Sequence, residues 1–139
     1  GTDTTDFTSG GIIAYSGVNN TTPFDVTPGT MSSGAGNPVT ATAITTVTAN
    51  AAVIFLSALR SDDRDFNTWT TGVPSNLTLT ETYDYSPASY PGIGSAWTIQ
   101  GTPGSTGAGS CDLSSTSPYV GILIALKPQP LGHPQLSLV

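Results

Sequence analysis

The sequence predicts an all-β protein, most simply a two-sheet β-sandwich, and three observations carry that expectation. Apolar and polar residues alternate with period two along most of the chain. No window of eleven residues has the spacing of an amphipathic helix. The 23 threonines, 16 serines, 16 glycines and 11 prolines supply nearly half of the 139 residues, a mixture that favours strands and turns.

In chain order, Gly1–Gly10 reads as an extended arm and Gly11–Ser16 as a short strand. Asn19–Pro23 and Pro28-Gly29 are turn clusters, and Ser32–Pro38 is a loop. The β-branched run Val39–Thr48 predicts one strand with Thr40, Thr42, Ile44, Thr46 and Thr48 on a single face. After a turn at Asn50, Ala51–Leu59 is apolar on both faces, as a strand between two layers should be. Arg60–Asn67 is a polar loop. Leu77–Tyr85 alternates cleanly, Ser95–Gln100 is a sixth short strand, and Gly101–Ser110 is a flexible surface loop. Tyr119–Lys127 predicts a central strand, with Val120, Ile122, Ile124 and Leu126 inward against Ile54 and Leu56, and Leu123 and Ala125 covered from the other side. Residues 11–128 thus form the sandwich domain. In Pro128–Val139 three prolines stop the last core strand, after which Gln135–Val139 alternates again.

Composition excludes several functions. With Arg60, Arg64 and Lys127 as its only Lys and Arg, and a net charge of −6, the chain has no basic surface for nucleic acid. The longest apolar stretch, Ala51–Leu59, is about half a membrane span. The single cysteine, Cys111, makes no internal disulfide and reads as a small, half-buried apolar residue. Low lysine and high Thr/Ser content suit an extracellular, cell-surface or virion-surface location. The chain opens at Gly1 without Met, which reads as a processed or excerpted piece.

Ile13-Ala14-Tyr15-Ser16-Gly17-Val18, Thr22-Pro23-Phe24-Asp25, the Thr-rich strands through Val39 to Leu59, the Gly-rich Gly104–Gly109 and the closing Ile124-Ala125-Leu126-Lys127-Pro128 carry a resemblance. Through them residues 11–128 resemble an uncharacterised β-sandwich module of secreted bacterial proteins and phage virion proteins. The resemblance implies a lectin-like jelly roll, a two-sheet antiparallel β-sandwich, with no catalytic residues. In that module the Ser-Gly-Val segment follows several strands, whereas only about ten residues precede it here. About six strands plus the tail are also few for a closed jelly roll of about eight. Either the N-terminal half of the module is missing, or a strand from a neighbouring subunit completes the sheet.

Candidate sites are sparse. Asp62-Asp63-Arg64-Asp65 is the densest carboxylate cluster. It reads first as a solvated loop neutralised by Arg64, and second as calcium ligands from Asp62, Asp63 and Asp65, without the glycine and distal glutamate of an EF-hand. Glu81 and Asp84, three apart on a strand, are expected on opposite faces, which defeats a glycosidase pair. His133, the only histidine, has no nucleophile or acid placed with it, so no triad is proposed. Trp97 is expected in the core. Trp69 and Tyr90 are the candidates for an exposed surface that stacks on a ligand such as a sugar. Leu136, Leu138 and Val139 are candidates for a subunit interface made by strand addition.

The sequence therefore predicts a non-enzymatic structural subunit of an extracellular assembly (filament, surface layer or virion surface), forming a homo-oligomer or polymer by terminal strand exchange. The alternative is a carbohydrate-binding or adhesion module with a glycan as partner. No cofactor is expected beyond the calcium alternative.

Overall fold

A computed structural model describes residues 8–60, 65–85 and 91–130. Over these residues the chain contains ten strands and no helix: β1 (Ser32–Gly36), β2 (Val39–Ala41), β3 (Thr45–Thr46), β4 (Ala51–Leu59), β5 (Phe66–Thr71), β6 (Thr80–Tyr85), β7 (Gly92–Gln100), β8 (Gly104–Ser105), β9 (Gly109–Leu113) and β10 (Ser117–Leu126). Five form an antiparallel sheet in the order β1-β10-β4-β7-β6, three a second sheet in the order β2-β9-β5, and β3 and β8 a two-stranded ribbon. The expected two-sheet antiparallel architecture is present, with more strands than the alternation announced.

One core lies between the two larger sheets. Val53, Phe55 and Leu59 of β4, Leu123 and Ala125 of β10 and Ala96 of β7 meet Val39 and Ala41 of β2, Cys111 and Leu113 of β9, and Phe66 and Trp69 of β5. Each large side chain withdrawn from water here contributes about 1.5–3 kcal/mol. Trp69 is its centrepiece: the indole stacks on Phe66 (centroids 5.1 Å apart) and meets Phe55 edge to face at 5.0 Å. Aromatic rings this large leave no room for side chains opposite. A Cβ on Gly94 would lie 2.7 Å from the Phe66 ring, and one on Gly121 would lie 2.4 Å from the Thr40 carbonyl oxygen.

β10 faces the opposite way from the expectation. Leu123 and Ala125, both 0 % exposed, belong to the core between the sheets. Val120, Ile122, Ile124 and Leu126 stand half-buried on the outer face of the five-stranded sheet. The expected neighbours are correct, since Ile122 pairs with Leu56 and Ile124 with Ile54, but this wall lies outside. The physical reason is thickness. Only the Gly121-Leu123-Ala125 side is slim enough to admit β2, whose backbone closes on Gly121.

Other differences are local. Val39–Thr48 splits into β2 and β3, and its phase inverts at Thr42 and Ala43, so that Thr40 faces out while Ile44 and Thr46 are buried. Thr106 holds the break: it accepts from the Ile44 amide at 3.1 Å and returns its own amide to the Ile44 carbonyl at 2.8 Å. Ser32–Gly36, expected as loop, pairs with β10. β5 arises where a loop and an exposed Trp69 were expected, and β8 and β9 begin within the supposed Gly101–Ser110 loop. No strand forms at Gly11–Ser16. Instead residues 17–29 line the free edge of β10 as an irregular selvage. The Gln129 amide donates to the Gly17 carbonyl, Asn19 to Lys127, Lys127 to Pro23, Asp25 to Ala125 and Gly29 to Leu123, at 2.7–2.9 Å. An edge that would otherwise expose unpaired backbone is thus closed by the chain itself.

Candidate functional site

The outer face of the five-stranded sheet is the unusual surface of this molecule. Its central side chains are Ala52, Ile54, Leu56 and Ala58 from β4, Val120, Ile122, Ile124 and Leu126 from β10, and Ile93, Trp97 and Ile99 from β7 with the buried Ser95 between them, because outward positions pair with outward positions across the ladder. An antiparallel sheet with one wet face ordinarily alternates apolar and polar residues, so an apolar outer face needs a cover.

Residues 8–18 cover its lower half as a strap. Ser9 Oγ donates to the Pro91 carbonyl, and Tyr83 Oη to the Gly10 carbonyl at 3.3 Å. The Tyr15 ring meets Trp97 edge to face at 6.0 Å, and the strap joins the β10 edge through Gly17, whose φ of 74° makes the bend. Ile54, beneath, is 1 % exposed, while Ile12 points away from the sheet at 97 % exposed. A cleft of about 380 Å³ remains between strap and sheet, walled by Ile13, Tyr15, Ala52, Trp97, Ile99 and Leu126, with Asn50, Thr82 and Lys127 as polar neighbours. The Tyr15 hydroxyl is buried with no hydrogen-bond partner among the described residues. An unmet buried hydroxyl costs about 1–3 kcal/mol.

Among the described residues nothing covers the upper half of the face in this way. Leu56, Ala58, Val120 and Ile122 line a shallow groove of about 170 Å³ beside Met31, which is 61 % exposed. Among the described residues no charged side chain lines this groove, although Arg60 lies in the adjoining hollow that shares Ala58 and Val120.

Asp25, on the β10 selvage, is buried, and its Oδ2 accepts the amides of Val47 at 2.7 Å and Thr48 at 3.2 Å. Burial pushes its carboxyl up, but the Thr48 side chain, those two amides and the Lys127 charge together outweigh burial and hold it below the usual value. Asp25 thus ties the selvage to the turn before β4, a role that composition and alternation do not reveal.

The residues singled out in the sequence fall into different places. Trp69 is 2 % exposed and cannot stack on a ligand; its Nε1 donates to Glu81 Oε2 at 3.0 Å. Its inward position follows from a register shift between Phe66 and Trp69, which brings two residues three apart onto one face. Trp97, expected in the core, stands half-buried at the cleft instead. A second shift, between Glu81 and Tyr83, places Glu81 opposite Ala96 and Asp84 opposite Gly94. The two carboxylates therefore share a face, contrary to the expectation from uninterrupted alternation, but Glu81 is engaged by the indole. Asp65 is exposed, and its calcium partners Asp62 and Asp63 lie outside the described residues. Tyr90, Leu136, Leu138 and Val139 also lie outside them.

Cys111 is 0 % exposed rather than half-buried, and burial, reinforced by the charges of Asp112, Glu81 and Asp84, pushes its thiol up to about 12. The native protein should therefore show no reaction with Ellman's reagent at about pH 8, and full reaction once unfolded in denaturant. Rapid labelling of the native chain would place Cys111 at the surface.

No family model, no curated protein and no solved structure matches this chain. Among the described residues no helix is long and apolar enough to cross a membrane.

Proposed function

We propose that this chain is a non-enzymatic structural subunit of an extracellular assembly, and that copies associate through the upper half of the outer sheet face, which no described residue covers. The observation that carries the reading is the groove of Leu56, Ala58, Val120 and Ile122, apolar, uncharged and flanked by the exposed Met31. A second copy is the fitting occupant because an uncharged apolar patch is complementary to itself, which is what an isologous contact requires. Strand exchange between copies suits the same assembly. β6 is the last strand of the five-stranded sheet, with a hydrogen-bonding edge beside which no strand lies among the described residues. A terminal segment from another copy, with Leu136 and Leu138 setting register, fits such an edge. The extracellular setting rests on composition: few lysines, much Thr and Ser.

The test is sedimentation velocity at about 100 µM, far above a micromolar Kd of about −8 kcal/mol. The wild-type chain is expected to sediment as a dimer or larger species. Ile122→Lys, which places a charge in the groove without touching the inner core, should sediment as a monomer with little change in melting temperature. A monomeric wild type, or an Ile122→Lys chain that assembles as well as wild type, refutes the proposal.

A further inference from the structure

We infer that the cleft beneath the strap is a binding site for a small amphiphile, an apolar ring carrying one carboxylate. The inference is independent of the assembly proposed above, since the cleft occupies the other half of the outer face. At about 380 Å³ the cleft falls in the range of small-molecule sites, about 300–1,000 Å³. Its walls fix the body of the ligand: Ile13, Ala52, Trp97, Ile99 and Leu126 offer apolar surface to a ring and nothing to a sugar's many hydroxyls.

The polar groups fix the head. The Tyr15 hydroxyl, in the strap wall, is shielded from water and has no partner among the described residues. Lys127, Asn50 and Ser16 are also among the lining residues, and among the described residues no carboxylate lines the cleft. The neighbouring acid, Asp25, feels the Lys127 charge; its Oδ2 accepts the Val47 and Thr48 amides, and its Oδ1 is buried with no hydrogen-bond partner among the described residues. Thr82 is occupied too, donating to the Ser95 carbonyl at 3.1 Å. What the cleft leaves unspent is a phenolic donor beside an apolar slot with a lysine among its lining residues, the complement of an apolar carboxylate. The strap is held at both ends, by Ser9 on Pro91 and Gly17 on Gln129, so the wall bearing Tyr15 is positioned before any ligand arrives.

The experiment is an NMR titration of the full chain with 2-naphthoate, reading the indole N–H signals of the two tryptophans. Trp97 lines the cleft, whereas Trp69 is in the core with its N–H on Glu81, so one reports and the other serves as an internal control. The expected result is a saturable, one-to-one shift of Trp97 with Trp69 unmoved. Lys127→Met and Tyr15→Phe, both conservative in shape, should each weaken binding by about tenfold. The neutral analogue 2-naphthalenemethanol, tested on the unaltered chain, should bind at least about tenfold more weakly, which reads the head group without any substitution. The inference is overturned if Trp97 shows no saturable shift up to about 1 mM probe, if both tryptophans shift together, or if charged and neutral probes bind equally.

Discussion

Trp69→Ala should lower the unfolding free energy by about 3–5 kcal/mol, the range for removing a large aromatic side chain from a packed core. The indole is 2 % exposed, stacked on Phe66 of β5 and edge-on to Phe55 of β4, so its loss opens a cavity between the two sheets that these rings cannot fill. The Glu81 carboxylate also loses its 3.0 Å donor, although exposure to water softens that part. Urea unfolding followed by circular dichroism measures the change as a shift in midpoint at constant slope. Trp97→Ala is the comparison: its ring lies half-buried at the cleft, and the loss should be visibly smaller. Equal losses for the two tryptophans would mean that the core does not lie between the sheets as described.

Gly121→Val should cost about 3 kcal/mol or more, at the upper end of what overpacking exacts. The first added carbon would lie 2.4 Å from the Thr40 carbonyl oxygen, 3.1 Å from Val39 Cγ1 and 3.2 Å from the Phe55 ring. The nearest of these is backbone, so the strain cannot be relieved by turning a side chain; β2 itself would have to move away from β10. Gly36→Ala is the control, because nothing lies within 4 Å of the position its methyl would take. It should change stability by no more than about 0.5 kcal/mol. A tolerated Gly121→Val would show that the two sheets are not held at this distance.

Much of the larger sheet was legible in the sequence, because β4, β10 and the end of β7 are long apolar runs whose period is uninterrupted. What failed was phase. On β10 both faces are apolar, and alternation alone cannot say which of two apolar faces meets the second sheet; the decision rests on Gly121 and Ala125 being small. β5 was missed because its inward residues, Phe66 and Trp69, are three apart across a register shift, so the period of two is broken where the core needs it most. The same irregularity, between Glu81 and Tyr83, undid the expectation that Glu81 and Asp84 point apart. β1 and β8 have almost no strand signature of their own in Ser32–Gly36 and Gly104–Ser105; they are strands because a neighbour supplies the hydrogen bonds. The strap and its cleft were hidden for a related reason. Ile13 and Tyr15 read as strand residues, yet they serve as a cover over a face whose need for cover appears only once the sheet is assembled.

If copies meet at the groove of the outer face, the side chains that line it change surroundings when copies separate. A dilution series read by methyl NMR tests it most directly, since it reports which side chains change surroundings as copies separate. Methyl signals of Leu56, Ile122 and Met31 should shift or sharpen together on dilution, while those of the core residue Leu113 and of Val73, 78 % exposed and not part of the groove lining, stay fixed. Concentration-dependent shifts at Val73 with none at Leu56 and Ile122, or no shift anywhere up to the highest attainable concentration, would contradict it.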